Sequence, residues 1–195
     1  MNYIERGHNS ITLMSLDTKL GNERTVFIHG EINDNAASEF FKQIMVLNRE
    51  SAEEPITVCI NSPGGEIKAG LLMYDVIQGS IAPIRLICTG RAYSMAAILL
   101  ASGNPDHGRY ILPNSDVMIH EPLIQGGFGG KTSSIKSISD SMIEIRAKLN
   151  GILARHTGHT LEEIDEATAY DHYFTAAEAV DFGICDKVVD FTYMI

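Results

Sequence analysis

The runs PITVCI (55–60) and IRLICTG (84–90) constrain this chain more than any other feature. Each is dominated by apolar and β-branched residues, and each gives way to glycine and serine before a helical stretch begins. Near-continuous apolar runs of that length suit strands buried on both faces of a sheet. NSPGGEIKAGLLMYDVIQG (61–79) supplies turn chemistry running into a helix. SMAAILLASG (94–103) supplies the next helix. The same alternation extends outward. TVFIHGEI (25–32) reads as a strand, and ASEFFKQIMVLNRE (37–50) carries Phe40, Phe41, Ile44, Met45 and Leu47 at helical spacing. GRYILP (108–113) and SDVMIH (115–120) read as short strands, and ICDKVV (184–189) as a closing one. The fold class is therefore α/β.

At 195 residues the chain fits one domain. Residues 1–24 are polar, mixed and weakly periodic, and read as an N-terminal arm or loop. A long helix is predicted over about 132–156. There Ile135, Ile138, Met142, Ile145, Leu149 and Ile152 form a narrow apolar seam of the kind used between packed helices. Gly158 is placed to cap it. Thr160 with Glu163, and Thr175 with Glu178, match the capping-box pattern at two further helix starts, the second ending at Gly183.

The formal net charge is −10, with no cluster of Lys and Arg. That disfavours nucleic acid and anionic membrane surfaces as partners. The opening MNYIERGHNS lacks a basic stretch followed by an apolar one, and MAAILLA (95–101) is too short to span a bilayer. Cys59, Cys88 and Cys185 are odd in number and widely spaced, which predicts buried free thiols in a reducing cytoplasm. No Cys or carboxylate cluster has metal-ligand spacing, so neither metal nor cofactor is expected. His156 and His159 read as charges at a helix C-terminus.

Four places carry candidate chemistry, and each also has a plain structural reading. SPGGE (62–66) is a tight strand-to-helix turn, or a pair of glycines whose N–H groups face an anion. Ser94, in GRAYS, is a helix N-cap, or a nucleophile at a strand-to-helix junction. His120 ends the strand VMIH and is a structural imidazole, or a base at a sheet end. Asp171 is a surface-loop acid, or the group that orients the base. One by one the structural readings are sufficient; together the four supply a nucleophile, a base, an orienting acid and N–H donors.

The combination INSPGGEIKAG, GRAYSMAA, PNSDVMIHEPL and DHYFTAAEAVDFGICD resembles the proteolytic subunit of the Clp protease (ClpP), a serine peptidase family. The resemblance covers roughly residues 25–190. It implies a ClpP/crotonase-type fold of repeated β-β-α units, with residues 25–195 as one catalytic domain and the long helix as a projecting handle. It implies Ser94 as nucleophile, His120 as general base, Asp171 as its orienting acid, and the N–H groups of Gly65 and Met95 as oxyanion hole. Gly126, Gly127 and Phe128, in GGFGGK, would line the substrate channel. Two stacked seven-membered rings would enclose the sites. An AAA+ unfoldase such as ClpX, ClpA or ClpC would feed in unfolded protein, with ATP consumed by the unfoldase rather than by this chain. A variant subunit, active only in a hetero-oligomer with a paralogous ClpP, is one alternative. A crotonase-like acyl-CoA enzyme is a remote one, since it would have no use for the three side chains together.

The chain departs from the family pattern in four places. SITLMSLDTKLGNERT lacks the usual tyrosine- and arginine-bearing segment. Arg91 and Tyr93 stand where Gln and Ala are typical. PLIQGGFGGK is about two residues longer than usual, and Tyr170 replaces the arginine that precedes the triad aspartate.

Overall fold

The computed structural model describes residues 2–6, 11–123 and 131–194. Strands β1 (Asn2–Arg6) and β2 (Ile11–Ser15) pair antiparallel as a separate two-stranded sheet, followed by helix α1 (Leu16–Asn22). The described residues of this segment are thus a strand pair and a short helix, where the sequence reads as an arm or loop. The physical reason is that none of the described side chains here is buried. Ile4 and Leu13 are exposed and α1 has no buried residue, so the segment carries none of the burial-driven periodicity by which elements are read. Ser15 caps α1, its Oγ accepting the Thr18 N–H at 2.9 Å.

The main body follows the expected alternation. Strands β3 (Thr25–His29), β4 (Ile56–Ser62) and β5 (Ile84–Tyr93) lie parallel in that order. Helix α2 (Asp34–Glu50) crosses between the first pair and α3 (Ile67–Gly79) between the second. Val58, Cys59 and Ile60 are all buried, so consecutive side chains on both faces of β4 leave water. In α2 the buried stripe is Ala37, Phe40, Ile44 and Leu47, whereas Phe41 and Met45 face out.

Helix α4 (Met95–Ala101) follows β5 without a linker except Ser94, and every one of its residues is buried. The long strand β5 then serves two partners. Leu86–Cys88 pair with β6 (Arg109–Ile111), and Arg91–Tyr93 pair with β7 (Asp116–Ile119), both parallel. The handle helix α5 (Thr132–Thr157) ends at Gly158, whose φ of +82° is the left-handed cap that glycine takes without strain. Its seam divides: Leu149 and Ile152 are buried in the core, whereas Ile135 and Ile138 stay open to solvent. Helices α6 (Leu161–Ala167) and α7 (Ala176–Asp181) both start with the expected capping boxes. The backbone N–H of Thr160 and of Thr175 hold Glu163 and Glu178 below the usual carboxylate range. Both caps therefore act at neutral pH and are lost as pH falls through those lowered values.

Strand β8 (His172–Thr175), between α6 and α7, runs antiparallel to β7, and the closing strand β9 (Lys187–Val188) pairs with β6. A 3-10 turn, Phe191–Met194, follows. The α/β class holds: a largely parallel seven-stranded sheet with seven α-helices among the described residues. No helix among them is long and apolar enough to cross a membrane.

The three cysteines are buried and unpaired. Burial pushes the Cys59 and Cys88 thiols up to about 11 and raises that of Cys185 further. Because the thiolate is the reactive form, native protein at pH 8 is expected to resist iodoacetamide at all three positions. The same reagent in guanidinium should add three labels, read by intact mass.

Candidate active site

Three strand ends build the site. Ser94 follows β5, His120 follows β7 and Asp171 precedes β8. The β7–β8 register places Ile119 opposite His172, so the next positions along, His120 and Asp171, also face each other. The parallel register of β5 and β7 sets Tyr93 beside Met118, and the Ser94 N–H donates to the Met118 carbonyl at 2.8 Å. Sheet pairing alone therefore brings the three residues to one edge.

The side chains form a continuous chain. Ser94 Oγ lies 2.9 Å from His120 Nε2, and His120 Nδ1 lies 3.0 Å from Asp171 Oδ1. With the imidazole proton on Nδ1, His120 donates to Asp171 and accepts from the serine hydroxyl. The His120 side chain is 13% exposed, whereas that of Asp171 is 57% exposed. The pairing with Asp171 is therefore screened by water, and its main effect is to hold the ring's orientation and tautomer.

Ser94 occupies the N-cap position of α4, but it does not cap. Its side chain makes no capping bond, and its backbone sits at φ +55°, ψ −122°, a region sparsely used by residues with a Cβ. This sharp turn from strand to helix turns the hydroxyl to His120 instead of to the helix N–H groups. The N-cap reading of Ser94 fails on that geometry.

The glycine pair lies against this turn. Gly64 (φ +90°) packs so closely that a Cβ would come 2.6 Å from the Tyr93 carbonyl oxygen and 2.8 Å from Ser94 Cβ. Gly65 bridges to Ile32 in parallel fashion: Ile32 N–H donates to Gly64 O, and Glu66 N–H donates to Ile32 O, each at 2.8 Å. That alternation turns the Gly65 N–H away from Ile32. A Cβ on Gly65 would run into the Ile32 carbonyl. Met95 N–H opens α4, where no intrahelical acceptor exists. Gly70 of α3 leaves room for the Met95 side chain, so the helix start is seated firmly in the core. Among the described residues neither the Gly65 nor the Met95 N–H donates to an acceptor.

Gly126, Gly127 and Phe128 lie outside the described residues. Among those described, no three His, Cys, Asp or Glu side chains are grouped to hold a metal ion. The expectation for His156 needs correction. Its Nε2 lies 3.1 Å from Tyr74 Oη, and burial, with Arg155 and Arg109 nearby, lowers its pKa. It is a neutral packed imidazole and not a capping charge. His159 is 3.1 Å from Glu163 and belongs to the α6 cap. The sequence signalled Arg91 and Tyr93 as unusual but not their partners: Tyr93 Oη donates to Asp116 Oδ2 at 2.6 Å, and the Tyr93 ring meets Tyr173 edge to face.

The motifs quoted from the sequence thus sit on the strand ends and turns of this edge, in one connected arrangement. The family model described as Clp protease matches residues 6–192, nearly the whole chain. The chain belongs to the Clp protease family.

Proposed function

We propose that the chain is a serine endopeptidase whose nucleophile is Ser94, whose general base is His120 and whose orienting acid is Asp171. The observation that carries this reading is the unbroken chain from Ser94 Oγ through His120 to Asp171, at 2.9 and 3.0 Å. A serine hydroxyl is a weak nucleophile until a base takes its proton. Here His120 Nε2 is in position to accept it as Oγ attacks a peptide carbonyl. The imidazolium so formed then returns the proton to the leaving amine, and water, activated by the same nitrogen, hydrolyses the acyl-enzyme. Asp171, accepting from Nδ1, holds the ring in the orientation and tautomer that this transfer needs. The N–H groups of Gly65 and Met95 have no other described acceptor, and they serve as the donors for the oxyanion.

Gly65→Ala tests that assignment. The added Cβ displaces the segment at Ile32 and turns the N–H, so kcat for a short peptide is expected to fall about 10²–10³-fold. A variant that keeps full activity removes Gly65 from the site.

Membership of the family supports an assembled peptidase of two stacked seven-membered rings, fed by an AAA+ unfoldase. The uncovered half of the handle seam, Ile135 and Ile138, is apolar surface suited to contact between rings. Tyr170 is 85% exposed where the family pattern has an arginine, and this favours a second reading, a subunit that stacks and works only beside a paralogous ring. Native mass measurement paired with fluorophosphonate labelling tests both readings. Label on Ser94 in the purified homo-oligomer supports the first. Label only after mixing with a paralogue supports the second, and no label in any assembly removes the peptidase reading.

A further inference from the structure

We infer that Tyr93, Asp116 and Tyr173 form a positioning cluster that holds the Ser94–His120–Asp171 geometry from the strands that carry it. The inference rests on the serine peptidase reading above. Each of the three catalytic candidates is attached to a different strand end, and each strand contributes one member of the cluster. Tyr93 is the residue before Ser94, Asp116 opens the strand that ends at His120, and Tyr173 lies two residues after Asp171. Tyr93, Asp116 and Tyr173 share one face, because Arg91 pairs with Asp116, and Tyr93 and Tyr173 both pair with Met118. The opposite face of the same strands, Ala92, Val117 and Phe174, is core.

On the cluster face the contacts are specific. Tyr93 Oη donates to Asp116 Oδ2 at 2.6 Å, a charge-assisted bond linking β5 to β7. The Tyr93 and Tyr173 rings meet edge to face with centroids 5.7 Å apart, linking β5 to β8 across β7. The Arg91 guanidinium lies 5.7 Å from the Tyr93 ring centroid on the outer side. The Asp116 carboxylate pushes the Tyr93 hydroxyl up to about 12, so it remains a donor throughout the neutral range. A backbone held at φ +55° at Ser94 needs support from its neighbours. Tyr93 supplies it on the residue immediately before the strained turn.

Tyr93→Phe removes only the hydroxyl and keeps the ring contact, so it separates positioning from packing. The full-length assembled protein is assayed with a short fluorogenic peptide and with a fluorophosphonate probe. Tyr93→Phe and Asp116→Ala are each expected to lower kcat and the labelling rate about tenfold with KM unchanged. The double variant should be no slower than either single one. Asp116→Asn keeps an acceptor oxygen and is expected to restore most of the rate. Native mass and melting temperature of Tyr93→Phe should match the parent. Unchanged kcat in Tyr93→Phe, or a double variant slower by the product of the two single effects, overturns the inference. Failure of the probe to label Ser94 in the parent removes the peptidase reading itself, so the two failures are distinguishable.

Discussion

Replacing Ser94 with alanine is expected to lower kcat on the order of 10⁶-fold while leaving the fold and assembly intact. The size follows from the geometry. Ser94 Oγ is the only described acceptor or donor at His120 Nε2, 2.9 Å away, so its loss leaves the base with no hydroxyl to activate. What survives is catalysis from the backbone donors and substrate binding. His120→Ala should cost a similar amount, and Ser94→Ala with His120→Ala together no more than either alone, because the pair acts as a unit. Stability should be unaffected, since the serine makes no capping bond to α4. Steady-state peptidase assays with an active-site titration check this. A Ser94→Ala protein that keeps more than a trace of activity would place the nucleophile elsewhere.

The second large effect concerns stability. Arg109 on β6 is 5% exposed and gathers parts of the chain far apart in sequence. Its Nε and Nη2 donate to the Asp186 carboxylate at 3.1 and 2.5 Å. Its Nη1 donates to the carbonyls of Ala101, His156 and Gly183 at 3.1, 2.9 and 2.9 Å. Ala101 and His156 lie in the last turns of α4 and α5, and Gly183 lies just past the end of α7. Helix C-termini present unpaired carbonyls and a partial negative charge, so one guanidinium satisfies three ends together. Arg109→Ala removes the partner of a partly buried carboxylate and leaves those carbonyls without a donor. A loss of about 3–5 kcal/mol is expected. Arg109→Lys keeps the charge but lacks the planar fork, and should recover only part. Chemical denaturation at one fixed protein concentration checks both, because assembly makes apparent stability concentration-dependent. A loss below about 1 kcal/mol would show that the carbonyls are satisfied by other means.

The elements that bury one face were legible in the sequence, and those that bury none were not. The β4 and β5 runs, the Gly158 cap and the two capping boxes stand where the pattern put them, and of the α2 spacing Phe40, Ile44 and Leu47 are buried while Phe41 and Met45 face out. The N-terminal strand pair is not legible because none of its described side chains is buried, Ile4 and Leu13 among the exposed. Strand β8 was missed for a related reason: in His172–Thr175 only Phe174 is buried, so the segment reads as a polar loop. Yet β8 is the element that carries Asp171 to His120. The spacing of His156 reads as a charge at a helix end, whereas its burial, with Arg155 and Arg109 nearby, lowers its pKa, and neither is visible in the local sequence pattern.

The sequence by itself determined the α/β class, the buried strands and the caps, because each is written in residues a few positions apart and driven by burial or by a local hydrogen bond. It also carried enough joint motif content to point to the family. Tertiary structure decided the site. Ser94 and His120 are 26 residues apart and His120 and Asp171 are 51 apart. No local periodicity relates residues so distant. The registers of β5 with β7 and of β7 with β8 bring them together, and the turn at φ +55° aims the hydroxyl. Strand pairing is a long-range choice, and only the folded sheet makes it.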